Sequence, residues 1–344
     1  MVAKGRVTMA QVAQQSGVSL STVSLVLRDR PGVGPGTRRR VLKSAKDLGY
    51  IPKRPTAPYT ADLTNIGMIL KAEPDRVPEA NKFYSRVVAG IETACRRMGT
   101  NLFYASMTVD EDSHPLELPR ILVEQDSADG LLLLGVYLNE ALNPVIDRRT
   151  TPIILVDAYA TSGAHDAVVS DNVAGACEAV TYLISHGHRH IAFVGSHPKA
   201  HPSIQERQRG YERALGDHGI TDRYSAECHI ANNGEVIAAT TSLLHESPEI
   251  TAVFGANDDV AIGVIDAAHG MGLKVPDDLS VVGFDNIDLA ERVSPSLTTM
   301  HVDKVGMGRL AVQLLVNRVE HPQSTPVRAV VCPRLIERGS VRTI

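Results

Sequence analysis

From Asn65 onward, short apolar runs alternate with stretches of helical periodicity, and few folds accommodate that rhythm. Runs of four or five residues predict strands at Ile66–Leu70, Leu102–Ala105, Gly130–Leu134, Ile153–Val156, Ile191–Gly195, Ala252–Gly255 and Ser280–Phe284. Amphipathic stretches at Tyr84–Met98, Ala174–His186, Glu206–His218 and Val260–Met271 predict helices between them. Strands apolar on both faces and separated by helices form parallel α/β sheets covered on both sides. Roughly 280 residues are too many for one such sheet, so two similar lobes are expected. A ligand then sits between the lobes, beyond the carboxyl ends of the strands.

Polar residues just after those strands are the first site candidates: Asp157, Asn257 and Asp285. Each could equally cap a helix, but their shared placement points to a site. Five histidines fall between His186 and His201. Gly187 sets His186, His188 and His190 across a turn, so a surface loop is expected there in preference to a metal site. The sequence contains no GxSxG, HExxH, Walker or GxGxxG signature, so no catalytic residue, no metal and no cofactor is expected. The four cysteines are scattered without a CxxC, which suits a reducing compartment. No run of 18 apolar residues would span a membrane, and the first residues lack the apolar stretch of a secretory signal. A cytoplasmic protein is expected.

Charge is divided unevenly. Residues 1–60 hold eleven Lys or Arg against two Asp, a net +9, while the remainder carries 24 basic and 37 acidic residues, a net −13. A basic head on an acidic body suits a polyanion, most simply nucleic acid. Within the head, Thr8 and Gln11 have capping-box spacing, and a short helix is predicted from Met9 to Gln15. Gly17 supplies the turn, and Ser19 caps a second helix that turns Val23, Val26 and Leu27 inward. Gly34-Pro35 opens a third, with Pro at N1 and with Val41, Ala45 and Leu48 on one face. Three short helices with a tight first turn make a helix-turn-helix. Ala13, Gly17 and Val23 have the spacing that such a unit needs for close approach, turn and plug. The second helix then enters the major groove with Leu20, Ser21, Thr22, Ser24, Leu25 and Arg28 facing outward. Leu20 and Leu25 could meet thymine methyls and Ser21 a base edge, or a leucine could pack on the third helix. Arg38, Arg39 and Lys43 suit phosphates or solvent. The GxGxG at Gly32–Gly36 follows no predicted strand and reads as a turn. Ile51–Pro58, with three prolines, reads as a linker.

These residues together resemble the LacI family of lactose-repressor-like transcription regulators. Residues Thr8–Ala13, Gly17-Val18-Ser19, Thr22-Val23-Ser24, Thr37-Arg38 and Leu48–Pro52 are similar to the family headpiece. Gly187–Gly195, Glu206-Arg207 through Gly210-Tyr211, Ser280–Asp285 and Leu297-Thr298-Thr299 are similar to family segments of the body. The resemblance implies a three-helix headpiece at 1–52, a Pro-rich hinge at 53–63 and an effector-binding domain at 64–344. It implies two Rossmann-like lobes of periplasmic-binding-protein type joined by three crossings. The first takes about 64–169 and 301–328, the second about 170–300 and 329–344.

The implied function is a repressor of double-stranded, palindromic operators whose affinity is set by a small effector between the lobes. On the DNA side the implied set is Thr8, Ser19, Leu20, Ser21, Thr22, Ser24, Leu25, Arg28 and Arg38, with Arg54 and Tyr59 from the linker. On the effector side, Arg207 grips hydroxyls or a carboxylate and Asp285 accepts. Asn257 and Asp157 are polar cleft positions, and Phe83 and Tyr84 line the cleft wall. The bland alternative is that Arg207 and Asp285 simply pair across an empty cleft. Lys71 stands where small or polar residues are common in the family. It tilts the expected effector from a plain sugar toward a sugar acid or sugar phosphate. Some members carry a heptad tail that makes tetramers; only four residues follow Ser340, and a homodimer is expected. Gly34 and Lys53 replace a serine and an asparagine usual in the family. Pro55 and Pro58 interrupt the usual hinge helix, so an extended linker is expected. A solute-binding protein without a DNA role, or an α/β enzyme acting on a sugar or nucleotide, remains open at this point.

Overall fold

The structure, a computed structural model, describes residues 7–27, 33–48, 50, 63–72, 74, 82–110, 112–125, 127–160, 164–230 and 232–344. The expectations for Arg28, Lys53, Arg54, Pro55, Pro58 and Tyr59 lie outside the described residues. The chain divides into two compact units, Met1–Thr60 and Ala61–Ile344.

The first unit holds α1 (Met9–Ser16), α2 (Leu20–Leu27) and α3 (Pro35–Asp47). Both halves of the Thr8–Gln11 capping box form: Thr8 N–H donates to Gln11 Oε1 at 2.8 Å, and Gln11 N–H donates back to Thr8 Oγ1 at 3.4 Å. Gly17 ends α1 at φ 66°, the left-handed conformation that a Cβ penalises. Ser19 Oγ accepts the Thr22 amide at 3.2 Å and so caps α2. Val12, Val23, Val26, Val41 and Ala45 form the core of the unit, flanked by Ala13, Leu27 and Leu48.

The second unit contains two six-stranded sheets. Its elements are β1 (Asn65–Ala72), α4 (Lys82–Met98), β2 (Asn101–Thr108), α5 (Arg120–Val123), β3 (Gly130–Leu134), β4 (Tyr137–Leu138), α6 (Asn143–Ile146), β5 (Ile153–Val156), β6 (Tyr159–Ala160) and β7 (Asp166–Ser170). There follow α7 (Asn172–Ser185), β8 (Ile191–Ser196), α8 (Pro202–Asp217), β9 (Tyr224–Glu227), α9 (Asn233–Glu246), β10 (Ala252–Gly255), α10 (Asp258–Gly270), β11 (Ser280–Asp285) and β12 (Thr298–His301). Last come α11 (Lys304–Glu320), β13 (Arg328–Val331) and β14 (Arg334–Ile336). The first lobe's sheet has the order β13-β7-β5-β3-β1-β2 and the second lobe's β14-β12-β11-β10-β8-β9. Their pairings are parallel except β12 with β14. Three crossings join the lobes: after β7, between β12 and α11, and between β13 and β14. Because Arg328–Val331 pair with Ala167–Ser170, the last crossing falls after Val331, a few residues beyond the expected 328/329 boundary.

The expected strands all form, since an uninterrupted apolar run suits a parallel strand buried on both faces. Of those not anticipated, β9 and β13 are edge strands with alternating exposure, whereas β7 and β12 are buried interior strands in which Asp166 and Ser170, and Thr298 and Thr299, break up the apolar run. No helix among the described residues is long and apolar enough to cross a membrane.

Helix α4 buries Phe83, Val87, Gly90, Ile91 and Cys95 along one stripe against α11. Two glycines set how closely these helices approach. A Cβ at Gly90 would run into the Val305 carbonyl oxygen, and one at Gly308 into that of Val87. Backbone cannot step aside as a side-chain tip can. Gly308→Val is therefore expected to destabilise the chain by about 2 kcal/mol or more despite valine's better helix propensity. Gly216→Ala in α8, where a Cβ meets nothing within 4 Å, is expected to be neutral or slightly stabilising. Urea unfolding of both variants checks the contrast.

Candidate functional site

The carboxyl ends of both sets of strands converge on one cleft. Lys71 is the next-to-last residue of β1, Gly135 follows β3, and Asp157 follows β5 on the first lobe. On the second lobe, His201 and Arg207 belong to the start of α8, Asn257 follows β10, and Asp285 ends β11. Topology explains this convergence: every parallel strand delivers its loop to the same end of its sheet.

Arg207 is the centre of the cleft and is only 4% exposed. Its Nε donates to Asn172 Oδ1 at 3.1 Å, one terminal nitrogen to the Ala256 carbonyl at 2.7 Å, and the other to Asp285 Oδ1 at 2.9 Å. The guanidinium also lies 3.9 Å over the Phe284 ring. A buried cation is tolerated only when it is matched in this way. Arg207 and Asp285 do pair, but both sit on the second lobe; the pair does not span the cleft.

Asp285 and Asn286 have φ of 110° and 52°, and Asp157 has φ of 45°. Such backbone is strained for residues with a Cβ and persists where surroundings over-determine it. Here Lys304 Nζ donates to the Asp285 carbonyl and, at 3.1 Å, to that of Asn286. Burial raises the Asp285 carboxyl above its ordinary range, opposed by the charges of Arg207 and Lys304. Asp157 accepts the Tyr84 hydroxyl at 2.8 Å. Its burial, opposed by that hydrogen bond and by Arg207, pushes it up to about 7.

The sequence expectations fare unevenly. Asn257 caps α10, accepting the Val260 amide at 2.9 Å. Phe83 lies in the apolar core, edge-on to Tyr84 at 5.2 Å between centroids. The expected surface loop of histidines is corrected at His188, which is fully buried and bonds Thr251 Oγ1 and the Arg342 carbonyl. Among the described residues no cluster of His, Cys, Asp and Glu could hold a metal ion.

Several cleft residues escaped sequence reasoning. Tyr159 of the first lobe donates its hydroxyl to Glu206 of the second at 2.8 Å, and Asn172 Nδ2 donates to the same Glu206 oxygen at 3.1 Å. Asn172 thus joins Glu206 to Arg207. Asp258 is wholly buried, accepting the Ile287 amide at 2.7 Å and the Thr299 hydroxyl at 2.5 Å. Burial, then the charge of Asp285, pushes Asp258 up to about 8. At the rim, Lys82 pairs with Asp259 at 2.6 Å and Arg86 with Asp288, both between the lobes. These exposed pairs contribute little to stability.

In the first unit, α2 turns Leu20 and Leu25 outward, 52% and 38% exposed, beside exposed Ser21. Neither leucine is buried against α3. Ser19, Ser21 and Thr22 hydroxyls cluster at the start of the helix, with Ser19 Oγ 2.8 Å from each of the other two. Ser24 and Arg38 are half-buried and Thr8 is exposed.

Comparisons with known proteins agree across both units. The family described as "Bacterial regulatory proteins, lacI family" matches residues 8–53, and a periplasmic binding protein-like domain matches 180–341. The HTH-type transcriptional repressor PurR of Vibrio atlanticus (strain LGP32) is 32% identical over 342 residues, covering 98% of this chain and 99% of its own. The ribose operon repressor of Escherichia coli (strain K12) is 33% identical over 338 residues, covering 97% and 99%. Among solved structures, a complex of the transcriptional regulator CelR with cellobiose superposes with a TM-score of 0.70 at 27% identity, covering 97% of this chain and 100% of its own.

The buried acids predict a pH dependence. Asp157 and Asp258 hold protons in the folded chain that the unfolded chain releases at ordinary carboxylate pKa values. Their contribution to stability is complete below that range and is lost as pH rises through about 7 and 8. The depressed histidines, such as His188 and His301, work in the opposite sense, but their contribution is already complete above about pH 6.5. Between about pH 6.5 and 8, urea midpoints are expected to fall, and to fall less steeply in Asp258→Asn. An identical slope would mean that Asp258 is ionised in the folded chain.

Proposed function

The chain belongs to the LacI family of bacterial regulatory proteins, and from that premise we infer that it is a sequence-specific DNA-binding repressor controlled by a small effector. The unit up to residue 60 carries the DNA contact and the unit beyond it the effector. Operator DNA, the effector and a second copy of the chain are its partners. A twofold operator calls for a homodimer, each copy reading one half-site. The target places the protein in the cytoplasm, and the cleft binds its ligand without turnover, as befits relatives that are repressors.

The observation that carries the DNA reading is the outer face of α2. A solvated helix has no use for two exposed leucines, whereas Leu20 and Leu25 beside Ser21 match what a major groove offers: thymine methyls and base-edge acceptors. Thr8, Ser19 and Arg38 flank that face, and Arg39 and Lys43 extend the basic surface for phosphates. Phosphate contacts give affinity and register; base contacts give sequence choice.

The effector reading rests on the second unit. Arg207 and Asp285 present a donor fork and an acceptor within one buried pair, the complement of vicinal hydroxyls. Asp157, Asn257 and Lys71 near the strand ends and Tyr84 in the first turn of α4 add further polar groups, with Phe83 behind them. A sugar or sugar derivative fits this chemistry, in keeping with a ribose operon repressor and a cellobiose complex among the relatives.

Two measurements test the two halves. Exchanging Leu20, Ser21 and Leu25 is expected to change the preferred site in a randomised-duplex selection, each base-edge contact contributing about 1–3 kcal/mol; an unchanged preference removes them from the reading set. Arg207→Lys keeps a cation beside Asp285 but loses the planar fork. It is expected to weaken sugar binding by about 1.5–3 kcal/mol in calorimetry while leaving operator binding without sugar intact. Undiminished affinity would place the ligand elsewhere.

A further inference from the structure

Lys304 opens α11, the helix by which the chain re-enters the first lobe, and it is only 6% exposed. Two costs weigh against a lysine there. Burial strips its ammonium of water, and the start of a seventeen-residue helix is the positive end of the dipole. Burial draws the ammonium below its ordinary range, opposed by the charges of Asp285 and then Asp258. A cation so placed needs hydrogen-bond partners that outweigh both costs.

Those partners lie in the other lobe. Nζ donates to the carbonyls of Asp285 and Asn286, where φ is 110° and 52°. Both acceptors are backbone groups, so the contact fixes the course of the chain at the end of β11. The same turn is tied within its own lobe by the Ile287 amide on Asp258 at 2.7 Å and the Asn286 amide on Thr299 Oγ1 at 3.3 Å. The Asp285 carboxylate meanwhile accepts from Arg207. The carboxylate that faces the effector and the carbonyl that Lys304 holds thus belong to one residue.

On its own side Lys304 has little freedom. The next residue, Val305, sets its carbonyl where Gly90 of α4 lacks a Cβ, and Gly308 meets the Val87 carbonyl in the same way. These close approaches fasten α4 and α11 into one body. The Phe83 ring of α4 lies 5.9 Å from Nζ. Arg86, also on α4, pairs with Asp288, three residues beyond Asp285. The first lobe therefore grips the 285–288 turn of the second at a buried point and at an exposed one.

We propose that Lys304 is a positioning residue that carries the state of the cleft to the first lobe. It holds Asp285 in place for the effector, and an effector engaging Asp285 acts on the α4–α11 body through it. This rests on the reading that the effector meets Asp285. A ligand shifts an equilibrium only through contacts that differ between two states. Where the Lys304 contact belongs to the ligand-free arrangement, losing it mimics the effector. Where it belongs to the liganded one, losing it blocks the effector. Either way operator affinity stops responding to the ligand.

The test uses the full-length chain, a duplex selected with it, and whichever of D-ribose, D-glucose, D-galactose and cellobiose most raises its melting temperature. Operator dissociation constants of the wild type with and without that sugar are expected to differ by about tenfold. In Lys304→Met the ratio is expected to fall to about two or less while calorimetry still shows sugar binding. Lys304→Arg, which keeps a cationic donor, recovers part of the ratio. Lys304→Gln carries the same expectation as Lys304→Met and decides the matter where the methionine variant does not fold. Arg86→Met, at the exposed grip, is expected to leave the ratio within about twofold of the wild type. Hydrogen exchange without ligand separates positioning from general damage. Peptides spanning 285–290 are expected to exchange about tenfold faster in Lys304→Met, while those of β8 and β10 keep pace with the wild type. A full ratio in the neutral variants, unchanged exchange at 285–290, or a ratio abolished by Arg86→Met would overturn the role. So would sugar binding lost in both neutral variants, which would make Lys304 part of the binding site itself. A wild type that binds none of the sugars would instead overturn the cleft reading, and the coupling with it.

Discussion

A guanidinium withdrawn from water at the meeting of two lobes must find its hydrogen bonds within the protein, and that requirement organises the second unit of this chain. Arg207 finds them on three separate strand ends: Asn172 after β7, the Ala256 carbonyl after β10, and Asp285 at the end of β11. One side chain thereby ties the first crossing to the middle of the second sheet. Asn172 extends the network to Glu206 and through it to Tyr159 on the other lobe. Removing Arg207 outright would leave Asp285 buried without its main counter-charge, a far larger loss than one hydrogen bond.

The same logic accounts for the strained backbone. Asp157, Asp285 and Asn286 all take positive φ, and all lie at strand ends facing the cleft. Each is held by a neighbour: Tyr84 on the Asp157 carboxyl, Lys304 on the carbonyls of Asp285 and Asn286. Strain of this sort is affordable in a unit with continuous apolar sheets behind it. The first unit has no such reserve. Its core consists of five small or branched residues, and the Thr8 and Ser19 caps and the Gly17 turn supply what packing cannot.

Much of the fold was legible because parallel strands must be apolar on both faces. Ile153–Val156 and Ala252–Gly255 show this as four-residue runs that match β5 and β10 end to end. Edge strands such as β9, Tyr224–Glu227, hide because one side faces water and only Ala226 is buried. The site was legible where a polar residue directly follows an apolar run, as for Asp157 and Asp285. Asp258 was missed because it sits one place beyond the capping Asn257 and reads as an ordinary acid in a first helical turn. His201 and Glu206 depend on the pairing of residues from different lobes, which no local pattern reveals; the Pro202 that starts α8 was the available signal for His201. The histidine run misled for a related reason, since His188 finds its partners more than sixty residues away.

The central claim is that occupancy of this cleft sets the affinity of the basic head for its operator. It is tested most directly by measuring the full-length chain's affinity for its selected duplex with and without the sugar that most raises its melting temperature, at one fixed salt concentration. The account predicts dissociation constants differing by about tenfold or more, the range of a coupling between two sites. Equal constants at saturating sugar would contradict it.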